Sequence, residues 1–235
     1  LNAEGIATEA GVISPRAIRL KAKPALQKHP LYLDGSIEVQ DEGSQLLGYL
    51  LAPRRGEMAA DFCAGAGGKT LLLGALMRST GRLYAFDVSD RRLARLKARV
   101  ARSGLSNVHP VVIANENDIR IKRLAGKIDR VLVDAPCSGL GTLRRNPDLK
   151  WRQTPEGVAE LSRKQHDILK GASRLVKKGG RLVYATCSIL PEENEAIVAG
   201  FLAAHPDFRQ VSAQDILAQQ GIALDCGETL RLAPH

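Results

Sequence analysis

No two cysteines in this chain have the C-x-x-C spacing of a structural zinc site. Cys63, Cys137, Cys187 and Cys226 stand far apart, so no metal is expected. No apolar run approaches the roughly 20 residues of a membrane span. The opening residues Leu1-Asn2-Ala3-Glu4-Gly5 lack the basic start and apolar stretch of a signal peptide. Internal repeats and low-complexity tracts are absent as well, which excludes solenoids and disordered linkers. What remains is a non-membrane protein with free thiols, for which a reducing, cytoplasmic compartment is expected. A monomer is expected, and a first residue other than methionine predicts a piece of a longer chain.

Acidic residues are also in deficit. Against 34 Lys and Arg stand 25 Asp and Glu, for a formal net charge of +9. That balance points to a polyanionic partner, most simply nucleic acid. The length of 235 residues and the 44% hydrophobic content suit one α/β domain with a short appendage.

Residues 1–39 are mixed, basic around Arg16, Arg19, Lys21 and Lys23, and punctuated by His29-Pro30 and Asp34-Gly35. They read as an N-terminal appendage, the remnant of an RNA-binding domain. From residue 40 to 235 strand and helix patterns alternate. Strands are expected at Met58–Phe62, Arg82–Phe86, Val108–Ile113, Ile128–Val133, Leu182–Ala185 and Phe208–Val211. Helices are expected at Asp41–Leu51, Lys69–Met77, Ser89–Ser103, Thr154–Val176 and Glu192–Ala204. Ser89 and Thr154 are N-caps, Pro155 is a first helical residue, and Gly179-Gly180 follows a helix end. This alternation predicts a doubly wound, mostly parallel sheet.

The loop Asp61-Phe62-Cys63-Ala64-Gly65-Ala66-Gly67-Gly68-Lys69-Thr70 joins the first strand to the first helix of that unit. Its glycines allow close backbone approach and present N–H groups at a helix start. It is not a strict P-loop, because only Ala66 separates Gly65 from Gly67. Asp87 closes the next strand, where an acid binds ribose hydroxyls. Asp118, after the third strand, is a weaker candidate for an adenine edge.

The two remaining motifs each follow a buried strand: Asp134-Ala135-Pro136-Cys137-Ser138-Gly139 and Ala185-Thr186-Cys187-Ser188. Two thiols and a carboxylate at one sheet edge suit a nucleophilic site. Taken singly, each cysteine could equally be a small buried hydrophobe. Cys63 reads as packing plus backbone contact, and Cys226 as structural.

Together these motifs, with Val39-Gln40-Asp41-Glu42-Gly43-Ser44 and Arg144-Arg145-Asn146-Pro147-Asp148-Leu149-Lys150-Trp151, resemble the Fmu/Sun (Nol/Nop/Sun) family of RNA cytosine-5 methyltransferases. The resemblance runs from about Val39 to His235. It implies a Rossmann-like class I methyltransferase fold that binds S-adenosylmethionine. It implies that Cys63, Ala64, Gly65, Ala66, Gly67, Gly68 and Lys69 hold the methionine end of the cofactor, with Asp87 on the ribose and Asp118 by the adenine. It further implies Cys187 as the nucleophile, with Asp134 and Cys137 as its partners. A thiolate added to C6 of cytosine makes C5 nucleophilic; Asp134 would serve N3, and Cys137 would assist release. The chain departs from the family at Ala66, where proline is usual. It also ends at Leu230-Arg231-Leu232-Ala233-Pro234-His235, without the family's last antiparallel strand.

Arg144, Arg145, Lys150 and Arg152, interleaved with Trp151, have the composition of a site for RNA phosphate and a stacked base. Ribosomal and transfer RNA are both open as substrates. Two rival readings stand: a DNA cytosine-5 methyltransferase with Cys137 as the attacker, and a non-catalytic RNA-binding protein with a vestigial loop.

Overall fold

A computed structural model of the chain describes residues 1–232. The elements, in chain order, are β1 (Thr8–Ala10), β2 (Ile18–Leu20), α1 (Pro30–Leu33), α2 (Glu42–Leu51), β3 (Met58–Asp61) and α3 (Gly68–Leu76). They continue with β4 (Arg82–Asp87), α4 (Asp90–Ser103), β5 (Val108–Val112), α5 (Ile119–Lys122), β6 (Ile128–Asp134), α6 (Leu149–Arg152) and α7 (Pro155–Ser173). Last come β7 (Val176–Ala185), α8 (Glu195–Ala204) and α9 (Ala213–Gln219).

Strands β3 to β7 form one parallel sheet in the order β5-β4-β3-β6-β7. Parallel strands are covered on both faces, so their sequences are apolar throughout and the two-residue alternation decides which layer each side chain enters. On β6, Val131 and Val133 enter one buried cluster with Phe62, Phe86, Ile168 and Phe201. Leu132, between them, enters the opposite cluster with Leu73, Leu83, Leu93 and Leu96. A third cluster joins α2 to α9 through Leu46, Tyr49, Leu50, Ile216 and Leu217. The helix caps act as their sequence predicts: Ser89 accepts from Arg92 N–H, and Thr154 accepts from Gly157 N–H.

Three expectations need correction. Phe208–Val211 is not a strand: Phe208 N–H donates to His205 C=O, and its ring packs edge-on against Phe201 at 5.2 Å. That apolar run serves the end of α8 instead of a ladder. The helix expected at Thr154–Val176 stops at Ser173, and Val176 already belongs to β7. Gly179-Gly180 therefore lies inside a ten-residue strand, beside a register shift between Ile128 and Arg130 on β6. The helix expected at Glu192–Ala204 is a 3-10 turn (Pro191–Glu193) followed by α8, broken at Asn194. Residues 233–235 of the expected 40–235 domain lie outside the described residues.

The N-terminal segment, with its antiparallel β1–β2 pair, docks on the sheet domain. Glu42 on α2 accepts from the Ile13 and Ser14 N–H groups, and Ser14 Oγ donates to Gln45 at 2.6 Å. Glu38 pairs with Arg99 and Arg102 of α4, and the Arg102 guanidinium lies over the Tyr32 ring. Among the described residues no helix is long and apolar enough to cross a membrane.

Candidate active site

Strand β3 lies between β4 and β6, so successive crossovers leave it in opposite directions, and a crevice opens at the strands' C-terminal ends. A cleft of about 250 Å³ occupies that position. Gln40, Ser44, Asp61, Asp134 and the loop from Cys63 to Lys69 line it. The loop is fastened to both neighbouring strands: Phe62 N–H donates to Leu132 C=O, and Ala64 N–H to Phe86 C=O. Arg99 Nη1 donates to Ala66 C=O at 2.6 Å. That bond restrains the position at which the resemblance leads one to expect a proline.

Gly67 caps α3 with φ of 90°. A Cβ there would lie 2.7 Å from Leu96 Cγ in the buried layer. Gly67→Ala is therefore expected to destabilise the fold by about 1–3 kcal/mol, lowering the melting temperature by several degrees in a thermal unfolding scan. An unchanged melting temperature would contradict this role.

Three carboxylates end adjacent strands. Asp61 is buried, and one of its oxygens, Oδ2, accepts from Thr70 Oγ at 2.7 Å. The other, Oδ1, has no partner. Burial raises its pKa to about 7; the Thr70 hydrogen bond opposes this, and the charges of Asp134 and Asp87 add to it. Asp87 is also buried. It accepts from Gly65 N–H at 2.8 Å and Ser89 N–H at 2.7 Å, and pairs with the Arg92 guanidinium at 2.6 Å. Asp134 pairs with Lys69 Nζ at 2.6 Å. Asp118 caps α5, accepting from Ala114 and Arg120 N–H; neither it nor Asp87 is among the cleft-lining residues.

The ladder between β6 and β7 brings Asp134 level with Ala185. The loops beyond these two residues therefore leave the sheet side by side. Cys137 Sγ and Cys187 Sγ lie 3.3 Å apart, and both cysteines are free of disulfides. Gly141 N–H donates to Cys187 C=O. A Cβ on Gly141 would meet that oxygen at 2.8 Å, so the approach requires glycine. The Cys187 thiol is lowered to about 7. The hydrogen bond from Cys137 is the main cause, burial and the Asp134 charge oppose it, and the Lys69 ammonium helps. The Cys137 thiol is raised, first by that same bond and then by burial. By geometry either sulfur can donate; the lowered Cys187 and raised Cys137 thiols fit Cys137 as the donor. The half-buried Cys63 thiol is raised by desolvation and then by three nearby carboxylates, which disfavours its thiolate.

A thiol whose pKa is lowered keeps its thiolate at neutral pH and loses it as pH falls through that value. Iodoacetamide should therefore alkylate Cys187 with a midpoint near 7, the rate falling at lower pH. A midpoint near the ordinary 9.0 would remove the activated thiolate.

The basic cluster flanks the thiols on α6 and the loop before it. Trp151 is 81% exposed, and Lys150 Nζ lies 4.8 Å from its ring centroid. Arg145 pairs with Asp41 at 2.7 Å, and Arg152 pairs with Asp148. Sequence reasoning did not single out Asp61, Gln40, Ser44 or the Lys69–Asp134 pair. Asp61 shares with Asp87 the position at a strand end, and that was the available signal. Glu193, which ties the two cysteine loops together, offered none beyond its nearness to Cys187.

The family described as 16S rRNA methyltransferase RsmB/F matches residues 48–235. A relative from Synechocystis sp., named probable ribosomal RNA small subunit methyltransferase B, is 42% identical over 199 residues, covering 83% of this chain and 44% of the relative. A Bacillus subtilis protein of the same name is 37% identical over 240 residues, covering 99% of this chain and 52% of its own length. The chain thus spans about half the length of the curated relatives it matches. Among solved structures, PH0851 superposes with a TM-score of 0.84 at 39% identity, covering 89% of this chain and 47% of that one. NSun6 from Pyrococcus horikoshii, solved with SFG, superposes with a TM-score of 0.71 at 28% identity, covering 80% of this chain and 48% of that one.

Proposed function

Because the chain belongs to the 16S rRNA methyltransferase RsmB/F family, we propose that it methylates C5 of a cytidine in small-subunit ribosomal RNA, using S-adenosylmethionine and a covalent Cys187–C6 bond. The carrying observation is the pair of thiols 3.3 Å apart next to a cleft lined by the glycine loop.

The cleft fits the cofactor on its own chemistry. The unpartnered Asp61 Oδ1 is an acceptor suited to an ammonium group, and Gly65 leaves open space above the backbone. Cys63 to Lys69 would hold the amino-acid end, and Asp87 the ribose. Structure-neighbour NSun6 was solved with SFG, an S-adenosylmethionine analogue. S-adenosylmethionine supplies, when bound, an electrophilic methyl group on a positively charged sulfur.

The residues of the chain divide the remaining work. Cys187, as thiolate, attacks C6 of cytosine. Asp134, in its protonated form, donates to N3 as C6 is attacked and takes the proton back on release, and Lys69 orients its carboxyl group. Cys137 begins as a protonated thiol because the Cys187 thiolate holds its proton in place. Once Cys187 is a neutral thioether, that hold is gone and the Cys137 pKa falls. Cys137 then gives its proton to solvent, and the resulting thiolate takes the C5 proton as the C5–C6 double bond re-forms and the Sγ–C6 bond breaks, with Cys187 leaving as thiolate. The DNA-type alternative needs Cys137 to attack, and its raised thiol makes it the poorer nucleophile at neutral pH. Trp151, Lys150 and their arginine neighbours would hold the RNA, and the free thiols favour a reducing cytoplasm.

The test is incubation with small-subunit ribosomal RNA and methyl-labelled S-adenosylmethionine, then digestion to nucleosides. Labelled 5-methylcytidine is expected; label confined to another nucleoside would overturn the reading. RNA affinity should also fall with salt, with a log–log slope of about −0.7 for each single-strand phosphate neutralised. A flat salt dependence would remove the phosphate contacts.

A further inference from the structure

Glu193 is fully buried and carries a carboxylate that the reaction itself does not use. Its partners are neutral donors. Ser138 N–H donates to Oε1 at 2.8 Å, the Ser138 hydroxyl donates to Oε2, and Gln165 Nε2 donates to Oε1 at 2.9 Å. Burial would raise this carboxyl, but the Ser138, Ser188 and Gln165 bonds outweigh it and hold the group ionised. An ionised carboxylate is costly to bury. At a site with a purely structural role, an apolar side chain of similar size would close the core more cheaply.

The bonds of Glu193 converge on the two cysteine loops. Ser138 follows Cys137 in the chain, and Ser188 follows Cys187. Their hydroxyls are 3.1 Å apart, a second rung parallel to the 3.3 Å thiol rung. Gln165, from α7, also donates to Pro136 C=O, just before Cys137. Tyr184 on β7 donates to the Glu193 carbonyl at 2.7 Å and to Gln165 Oε1 at 3.2 Å. Gln153 Nε2 donates to Ser138 C=O. The carboxylate thus sits at the junction of β7, α7 and both loops.

We infer that Glu193 is a positioning residue: by gripping Ser138, and Ser188 through the Ser138 hydroxyl, it fixes the Cys137 thiol against Cys187. The inference rests on Cys187 as nucleophile and Cys137 as its partner. The charged groups facing the thiol pair are Asp134 and Lys69; Glu193 acts on it through position, at one remove.

Glu193→Gln is the test. Ser138 N–H and Gln165 share Oε1 and the Ser138 hydroxyl alone takes Oε2, so the amide NH₂ at that place reverses the hydroxyl from donor to acceptor and removes its bond to a charged oxygen. The Ser138 loop should shift and withdraw the Cys137 S–H. Alkylation of Cys187, followed by peptide mass spectrometry, should then show its midpoint moving from near 7 toward 9.0. With substrates present, kcat should fall by about 10- to 100-fold, as for a misplacement of about 1 Å, with KM for RNA and cofactor little changed. The alkylation assay needs neither RNA nor methyl donor, so it judges Glu193 even if the wild-type protein methylates no cytidine. If Glu193→Gln does not fold by circular dichroism, Ser138→Ala replaces it. That variant keeps the buried carboxylate and its backbone bond but cuts the hydroxyl bridge. An upward midpoint shift in the folded variant supports the role; an unchanged midpoint overturns it.

Discussion

Cys187→Ala is expected to abolish both methylation and covalent capture of RNA, a loss on the order of 10⁴- to 10⁶-fold, as when an enzyme's nucleophile is removed. The thiolate is the group that makes C5 reactive, and no other thiol can replace it. Cys63 is half-buried and its thiol is raised, first by desolvation and then by its carboxylate neighbours. The Cys137 thiol is raised first by its bond to Cys187 and then by burial. Cys137→Ala should behave differently. Attack and methyl transfer remain possible, but the group that completes release is gone, so a protein–RNA adduct should accumulate. Loss of the Cys137 hydrogen bond also raises the Cys187 thiol. The adduct should therefore form slowly at neutral pH and faster near pH 9. A denaturing gel with labelled cytidine-containing RNA and S-adenosylmethionine reads both variants. A slow-migrating band for Cys187→Ala, with none for Cys137→Ala, would reverse the roles.

Asp87→Ala carries the second large effect. Both oxygens of this buried carboxylate are already engaged: Oδ2 by Gly65 N–H, and Oδ1 by Ser89 N–H and Arg92. It therefore braces the glycine loop from below as well as offering an acceptor to a ribose. Removal leaves the Gly65 and Ser89 amides without their partner, costing about 1–3 kcal/mol for each unsatisfied group. Arg92 can swing into solvent, since its side chain is 54% exposed. Isothermal titration should show S-adenosylmethionine binding weakened by roughly 10- to 100-fold, about 1–3 kcal/mol for lost charge-assisted bonds. Asp87→Asn, which keeps an acceptor oxygen, should fall between the two. Unchanged affinity in Asp87→Ala would sink both the ribose and the bracing roles.

Local chemistry made much of this architecture readable. Buried parallel strands are apolar on both faces, so Leu83-Tyr84-Ala85-Phe86 and Val131-Leu132-Val133 stand out as short continuous runs. Ser89, Thr154 and Pro155 bear cap signals that act within one helical turn. The glycine loop follows a strand and opens a helix, and each cysteine motif follows a strand end. All these signals depend on neighbours a few residues away.

The misreadings occur where partners are distant. Phe208–Val211 looks like a strand by composition, but the Phe201 ring claims Phe208. Val176 continues a helical pattern, but Ile128 on β6 pairs with it.

The sequence by itself determined the alternation of elements, the loop that opens α3 and the identity of the two thiols. Only the tertiary structure decided that the thiols meet at 3.3 Å and that Lys69 reaches Asp134. Cys137 and Cys187 are fifty residues apart. Their contact comes from the register of β6 against β7 and from the buried Glu193 bridge. Thiol ionisation depends on the distance to a donor and on burial, quantities that exist only once the chain has folded.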